Sequence, residues 1–404
     1  MFDNKRSKVI FIIFLATILI IKFFSRYKSW SISGSGDAIA FSPNSEMIAY
    51  ATGKTIDNKI SSYATTYGSS TVEIRKVNNA KIIQTFNFFS ASSIAFSPDN
   101  SLIAIGGYGG EIKVWRLRDA RLIHSFKKAE RYRDQTEGLF FTPDGRTLIS
   151  STTPLHKSQL YHRTSQLSVF HLEQNQNSYT ISEPFTCATA SPDGQLMAIA
   201  GTRDYITIYR VLDGKLLRRI RTVPLSCYNI FFSQDNQSVI SEFKPTKAGD
   251  VFLHRVDDGK LLRSIDRFSL SEGTHDPTDT KLSPNGNFIA TSYGARSGGG
   301  DSLFVNAPEL DFSLGLFGYV HFWHLKSGLD FPVASIRAHW MNAKAIAFSP
   351  DGKWLASVSG SKDRNRVRLW RMPPYSGWWW FLGSIGLAIF VYQRRVELKN
   401  WLEQ

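Results

Sequence analysis

The residues that most often do chemistry are few in this 404-residue sequence, and their spacing does not suit a reaction. His156 and His162 lie six positions apart in a polar stretch, while His321 and His324 fall on opposite faces of one predicted strand. Neither spacing brings two imidazoles onto one metal ion. Paired acids such as Asp257–Asp258 occur at predicted tight turns, which Asp favours for backbone reasons. The sequence therefore predicts no metal site.

Sequence motifs for common enzyme classes are also missing. There is no phosphate-binding loop, no zinc-protease helix, no nucleophile elbow and no calcium-binding loop. Cys187 and Cys227 are the only cysteines, too few for a disulfide framework or a cysteine-based zinc site. We predict that both are small buried hydrophobic side chains. The sequence thus predicts no enzyme, no cofactor and no evident small-molecule substrate.

The elements that carry these residues are strands in a sevenfold repeat. Each copy has an alternating apolar strand, a tight turn that reads Ser-Pro-Asp-Gly at its most regular, and a second strand. A third and a fourth strand follow, as in IKVWRL and RLIHSF. The first turn residue recurs at Ser42, Ser97, Thr142, Ser191, Ser233, Ser283 and Ser349. This pattern predicts an all-β protein, a seven-bladed β-propeller.

The repeats resemble the WD40-repeat family from about Tyr27 to Met372. The FSPDG turns and the tryptophan near the end of the third strand carry this resemblance. The family's Trp-Asp ending reads Trp115-Arg116, Trp323-His324 and Trp370-Arg371 here. In the other four repeats, we assign the tryptophan position to Tyr209, Phe170, Ile74 and Leu253.

The resemblance also implies a buried tetrad of hydrogen-bonded side chains in each blade. It is complete only in the last blade, as the structural residues His339, Ser359, Asp363 and Trp370, and Asp204 is a remnant in the fourth. Most blades lack it. We therefore expect apolar packing between blades to supply most of their stability.

The last repeat has only three strands before Pro373–Pro374. We predict that 27–33 pairs with its third strand and closes the ring, since that edge would otherwise be exposed. The chain would then enter at about Ser25 and leave at about Met372 at one place on the ring. Short turns should share that face, and the insertions should lie on the other. The insertions run over Gly53 to Ser70, Lys127 to Glu137, Thr152 to Ser165, Lys244 to Gly249, Ser269 to Asp279 and Gly294 to Gly318.

Each end of the chain carries an apolar run next to a basic tail, 1–8 or 393–404. As a helix, 9–24 would reach about 24 Å, close to the ~30 Å hydrocarbon core of a bilayer. The second run, 375–392, is free of charge. Its predicted interfacial anchors are Trp378, Trp379, Trp380, Tyr392, Arg394 and Arg395. We predict two transmembrane helices side by side, with both termini on one side. The alternatives are a cleaved signal peptide for the first run and a buried core helix for the second.

The longest insertion, Gly294 to Gly318, is rich in apolar side chains. They are Leu303, Phe304, Val305, Phe312, Leu314, Leu316 and Phe317. Water exposure of this group would be costly, so the loop either covers its own propeller or contacts a partner or the membrane. These seven residues are the candidate partner contacts.

Composition narrows the function without identifying it. The net charge of +14 comes from basic residues scattered through the repeats, which suits a solvated surface or anionic lipid better than nucleic acid. We predict a membrane-anchored scaffold for a protein partner, such as a subunit or assembly factor of a membrane complex. The alternative is a small-ligand sensor or an enzyme that uses the central channel. The distribution of Lys and Arg around the two runs slightly favours a cytoplasmic propeller.

Overall fold

The computed structural model describes residues 30–33, 38–53, 69–126, 134–154, 165–201, 203–223, 226–243, 251–265, 277–293, 318–325, 334–339, 343–359 and 366–372. Within these ranges, 28 strands form seven antiparallel four-stranded sheets, and there is no helix. The first strands of neighbouring sheets contact one another around a complete ring. The protein is therefore a closed seven-bladed β-propeller, as the sequence predicts.

Each blade runs from an innermost strand at the centre of the ring to an outermost strand at its rim. The innermost strands of blades 1 to 7 are β2 (Ile39–Phe41), β6 (Ala91–Phe96), β10 (Asp134–Phe141), β14 (Cys187–Ala190), β18 (Cys227–Phe232), β22 (Pro277–Leu282) and β26 (Ala343–Phe348). The second strands are β3 (Met47–Gly53), β7 (Leu102–Gly107), β11 (Thr147–Pro154), β15 (Leu196–Ala200), β19 (Ser238–Phe243), β23 (Phe288–Tyr293) and β27 (Trp354–Ser359). The third strands are β4 (Ser69–Lys76), β8 (Ile112–Arg116), β12 (Ser165–His171), β16 (Tyr205–Arg210), β20 (Val251–Arg255), β24 (Gly318–His324) and β28 (Arg366–Arg371). The outermost strands are β5 (Ile82–Phe89), β9 (Arg121–Phe126), β13 (Gln176–Glu183), β17 (Leu216–Arg221), β21 (Leu261–Ile265), β25 (Ala334–His339) and, for blade 7, β1 (Trp30–Ser33).

The same side-chain hydrogen bonds close the turn of the first hairpin in every blade. In blade 2 the Ser97 hydroxyl donates to Asp99 Oδ1 at 2.5 Å and accepts the Leu102 backbone N–H at 2.8 Å. The equivalent hydroxyl accepts a backbone N–H in the other blades, at Ser42, Thr142, Ser191, Ser233, Ser283 and Ser349. These bonds hold the turn closed without help from the rest of the blade. The repeated Ser/Thr-x-Asp/Asn sequence therefore closes the first turn of each blade, and we call these hydrogen-bonded turns the clamps.

The fourth position of this turn is left-handed, which explains the glycine of the repeat. Three blades have Ser45, Asn100 or Asn236 there instead, with φ near 60° in each case. Their side chains accept backbone N–H groups from the preceding blade. The donors are Asp351 to Ser45 at 3.1 Å, Asn44 to Asn100 at 3.3 Å and Asp193 to Asn236 at 3.4 Å. Neighbouring turns are therefore linked, including those of blades 7 and 1.

The hydrophobic core is divided among the spaces between blades. In the first of these, Ile74 of blade 1 packs with Ile103 and Ile105 of blade 2, and all three side chains are fully buried. Burial of a side chain of this size contributes about 1.5–3 kcal/mol. Interblade packing of this kind is what the sequence leads us to expect where the tetrad is lost.

The N-terminal strand closes the ring. β1 pairs antiparallel with β28, in register from Trp30↔Leu369 to Ser33↔Arg366. Met372, the last described residue, donates its N–H to the Lys353 carbonyl at 2.7 Å, and this bond holds it against the first turn of blade 7. The two described ends of the propeller therefore lie next to each other, as the closure argument predicts.

The strand directions divide the propeller into two faces. The turn face carries the turns between first and second strands and between third and fourth strands, together with Trp30 and Met372. The loop face carries the connections between second and third strands and between blades. β10, β11 and β22 extend into stretches that the sequence assigns to insertions on the loop face. The rest of those insertions lies outside the described residues.

Candidate functional site

The strand registers identify the tryptophan position of each blade. Trp115 lies opposite Ile103 of the second strand. The residues with the same register elsewhere are Arg75, Phe170, Tyr209, His254, Trp323 and Trp370. Our assignment of Ile74 and Leu253 is therefore wrong by one residue. Ile74 and Leu253 continue the apolar alternation of their strands, whereas the residue at the tryptophan position, Arg75 or His254, is polar. In the pairing with the outermost strand, a bulge separates Ile74 from Arg75 and Leu253 from His254.

Blade 7 has a hydrogen-bonded cluster at its tryptophan position. The Trp370 indole N–H donates to Ser357 Oγ at 3.1 Å, and His339 Nε2 lies 2.9 Å from the same oxygen. This serine is not the predicted Ser359. Trp370 lies opposite Leu355, so the residue two positions along β27 is within reach, while Ser359 lies past the last residue pair. Asp363 is outside the described residues.

The charge state of this cluster follows from its burial. His339 is 3% exposed, and burial lowers the pKa of its imidazole to about 3, with help from the positive charge of Arg368. The Arg368 guanidinium donates to the Ala338 carbonyl at 2.8 Å. The neutral imidazole shares one hydrogen bond with the Ser357 hydroxyl, whose oxygen also accepts the indole N–H. The cluster is a structural network that joins β25 of blade 6 to blade 7.

In blades 1 and 4, charged side chains take part in the hydrogen bonds around the tryptophan position. In blade 1, Arg75 Nε donates to the buried Tyr50 hydroxyl at 2.7 Å, and that hydroxyl donates to Glu73 at 2.7 Å. In blade 4, the Tyr209 hydroxyl donates to Glu183 of blade 3 at 2.6 Å. Burial, together with the adjacent carboxylate, raises the pKa of each tyrosine. Both phenols therefore remain protonated and serve as donors.

Contacts between aromatic rings replace the hydrogen bonds in blades 2 and 3. The Trp115 ring lies 5.2 Å from Phe86 of blade 1, and Phe170 lies 4.4 Å from Phe126 of blade 2. In blades 2, 3, 4 and 7 the contact reaches the outermost strand of the preceding blade. In these four blades, the tryptophan position is therefore an interblade contact rather than a reactive site.

Blade 5 has a buried histidine at its tryptophan position. His254 is 3% exposed, and its Nδ1 has no hydrogen-bond partner. It lies opposite Val239 on β19. Two positions further along that strand, the buried Ser241 Oγ has no partner either. Burial lowers the pKa of His254. Blades 4 and 5 are joined by a disulfide between Cys187 and Cys227.

The disulfide corrects our prediction of two unpaired buried cysteines. Both are buried, at 8% and 3% exposure, but their Cα atoms lie 5.9 Å apart, a separation typical of a disulfide. They are 40 residues apart in sequence, about one blade. That spacing places them at the ends of neighbouring innermost strands, which the cysteine count alone does not reveal.

The other predicted chemistry residues have structural surroundings or lie outside the described ranges. Asp258 pairs with Arg255 at 2.9 Å in the predicted turn, and the predicted tetrad remnant Asp204 pairs with Arg221 at 3.7 Å. The described residues contain no group of three metal-ligating side chains and no helix that could span a membrane. Predicted features that fall outside them are His156, His162, the apolar residues from Leu303 to Phe317 and the anchors from Trp378 to Arg395.

Comparison with known proteins agrees with this architecture. The family model described as "WD domain, G-beta repeat" matches residues 81–116 and 331–371, which include Trp115 and Trp370. "Periodic tryptophan protein 2" of Arabidopsis thaliana is 26% identical over 128 residues, 31% of this chain and 13% of that relative. The matched part is thus a small fraction of the relative. Seven blades, a repeated turn and matches of the family model in two separate repeats together support the WD40-repeat family of β-propellers for this chain.

Proposed function

We propose that this protein is a membrane-anchored scaffold that presents the loop face of its propeller to a protein partner. WD40 propellers are typically protein-interaction scaffolds, and binding residues tend to lie on loops that a rigid framework positions. The observation that carries the proposal is the division between the faces. Both described ends of the propeller, Trp30 and Met372, lie on the turn face, and the long connections leave from the opposite one.

The membrane part of the proposal rests on the apolar runs 9–24 and 375–392. These runs flank the two described ends, so spans formed by them would lie side by side below the turn face. The loop face would then point away from the bilayer. A subunit or an assembly factor of a membrane complex could reach it there.

For the side of the membrane, we favour the non-cytoplasmic one. The distribution of basic residues leans slightly the other way, but it is a weak signal beside a large domain. A disulfide such as Cys187–Cys227 persists in oxidising compartments and is rare in the cytosol. Thiol alkylation before and after reduction, on protein from its native membrane, tests this choice. Modification without reductant would return the propeller to the cytoplasmic side.

The scaffold proposal is tested with tagged full-length protein. It should remain in the membrane pellet after alkaline carbonate washing, and after mild detergent extraction it should migrate in a larger complex. Replacement of 294–318 by a short linker should remove the partner. The matched control replaces 54–68, a connection on the same face without the long apolar run. A carbonate-soluble chain would overturn the anchoring, and a single-chain particle that both replacements leave unchanged would overturn the scaffold.

The alternative of a ligand in the central channel receives less support. Asp279, a half-buried acid on the innermost strand β22, already pairs with Lys281 Nζ at 2.6 Å. Its other oxygen accepts the Ile346 N–H of blade 7 at 2.9 Å. This carboxylate therefore joins two blades and has little capacity left for a ligand.

A further inference from the structure

Exposed aliphatic side chains recur on the turn face, at the start of the outermost strands of blades 1, 2, 4 and 5. Among the described residues, five of the nine exposed large hydrophobic side chains belong to blades 4 and 5. We call these five the leucine patch: Leu212, Leu216, Leu217, Leu261 and Leu262. Leu212 is 78% exposed at the tip of the turn between β16 and β17, and the other four begin β17 and β21. Exposure of five leucines on two neighbouring blades is unfavourable in water and indicates a contact surface.

Basic side chains surround the leucine patch. Lys215 and Arg218 flank the leucine pair of β17, and Lys260 precedes that of β21, all three exposed. The neighbouring acids are partly neutralised, because Asp213 pairs with Arg210 at 2.5 Å and Asp258 with Arg255 at 2.9 Å. Asp257 adds one exposed negative charge. The surface therefore combines apolar side chains with an excess of positive charge.

The position of the patch fits the placement of the chain ends. Blade 7, where Trp30 and Met372 lie, is three blades away from blade 4 around the ring. Anchors below blade 7 alone would leave the far side of the propeller unsupported. A second contact at blades 4 and 5, on the same face, would hold the disc parallel to the membrane.

We propose that the leucine patch rests in the interface of an anionic lipid bilayer. The leucines enter the headgroup–acyl boundary, and Lys215, Arg218 and Lys260 contact lipid phosphates, as in other amphipathic interfacial surfaces. This inference depends on the proposed function for the nearby bilayer, but the anchors alone do not require it. It also explains why these leucines remain outside the core of a well-packed propeller.

The test uses the full-length protein in proteoliposomes of phosphatidylcholine with phosphatidylglycerol. Leu212→Cys and Leu262→Cys provide labelling sites, because both native cysteines are in the disulfide. The control is Arg221→Cys, an exposed position at the opposite end of β17. Lipids with a spin label near the headgroup should quench a fluorophore at positions 212 and 262 at least about twofold more than at 221. The difference should shrink in pure phosphatidylcholine, or when Lys215, Arg218 and Lys260 are changed to Gln.

Equal quenching at all three positions, or none at any of them, would overturn the lipid contact. Carbonate washing of the same samples tests the anchoring separately, so failure of the two proposals can be told apart. Protection of position 212 in native membranes but not in proteoliposomes would mean that a protein covers the patch. That result would also overturn the lipid contact.

Discussion

The contact between blades 6 and 7 and the contact between blades 4 and 5 are built differently at equivalent positions. In the first, Ser357 bridges Trp370 and His339, and both partners are satisfied. In the second, Ser241 and His254 leave buried polar atoms without partners, and the Cys187–Cys227 disulfide joins the blades at the centre of the ring. One fold therefore tolerates either a hydrogen-bonded contact or a poorly satisfied contact with a covalent link.

The largest predicted effect is loss of the disulfide. Replacement of Cys187 and Cys227 by Ser should lower the free energy of unfolding by about 4 kcal/mol, because the bond closes a chain segment of 40 residues. Denaturant unfolding in detergent, with and without reductant, measures this. Hydrogen exchange should speed up first in β14 and β18. Uniform acceleration around the ring would show that the disulfide does not act on this contact in particular.

Ser357→Ala should have the next largest effect. It leaves the Trp370 N–H and the His339 imidazole buried without their shared partner, at a cost of about 2–3 kcal/mol. Ser150→Ala is the matched control at the equivalent position of blade 3, and it should cost less because the buried Ser150 hydroxyl has no hydrogen-bond partner. If the two variants lose equal stability, the hydrogen-bonded account of blade 7 is wrong.

Acid should weaken the contact between blades 6 and 7. The unfolded His339 takes up a proton as the pH falls through about 6.5, but the folded one does so only near its pKa of about 3. Its contribution to stability is therefore complete above pH 6.5 and falls by about 1.4 kcal/mol per pH unit below it. His339→Asn should reduce this slope in pH-dependent unfolding. An unchanged slope would contradict the neutral, buried state of His339.

Ser241→Ala should have the smallest effect and the opposite sign. It removes a buried hydroxyl that has no partner, so the free energy of unfolding should rise by up to about 1 kcal/mol. The comparison with Ser357→Ala uses the same chemical change at equivalent positions of two blades. A loss of stability in both variants would mean that Ser241 has an equivalent bonding role, and the distinction between the two contacts would disappear.

The sequence was sufficient to predict the blades and the closure of the ring, because both depend on local signals. The clamps from Ser42 to Ser349 are contained within single turns, and the missing fourth strand of blade 7 leaves one candidate, the stretch that contains β1. These features follow from residue order and hydrogen-bond requirements.

The contacts between blades were harder to predict. Arg75 and His254 were missed because polar residues at the tryptophan position do not stand out from an apolar pattern. Ser357 was missed because Ser357 and Ser359 share a face of β27, and only the register with Trp370 distinguishes them. The disulfide required the three-dimensional offset between two innermost strands. In each of these cases, the prediction needed the register or the distance between two strands, whereas the sequence pattern indicates only which residues form each strand.

The closing strand also has a mechanical consequence. Trp30 and Met372 leave the propeller at the same end of the β1–β28 pair, so tension between the two chain ends would load the Trp30↔Leu369 pair first. The remaining pairs, as far as Ser33↔Arg366, would then open one after another, as in a zipper. Under a shearing force, by contrast, all the pairs would bear the load together. A force that separates the two terminal segments would therefore open the ring at blade 7 and leave the other six blades folded.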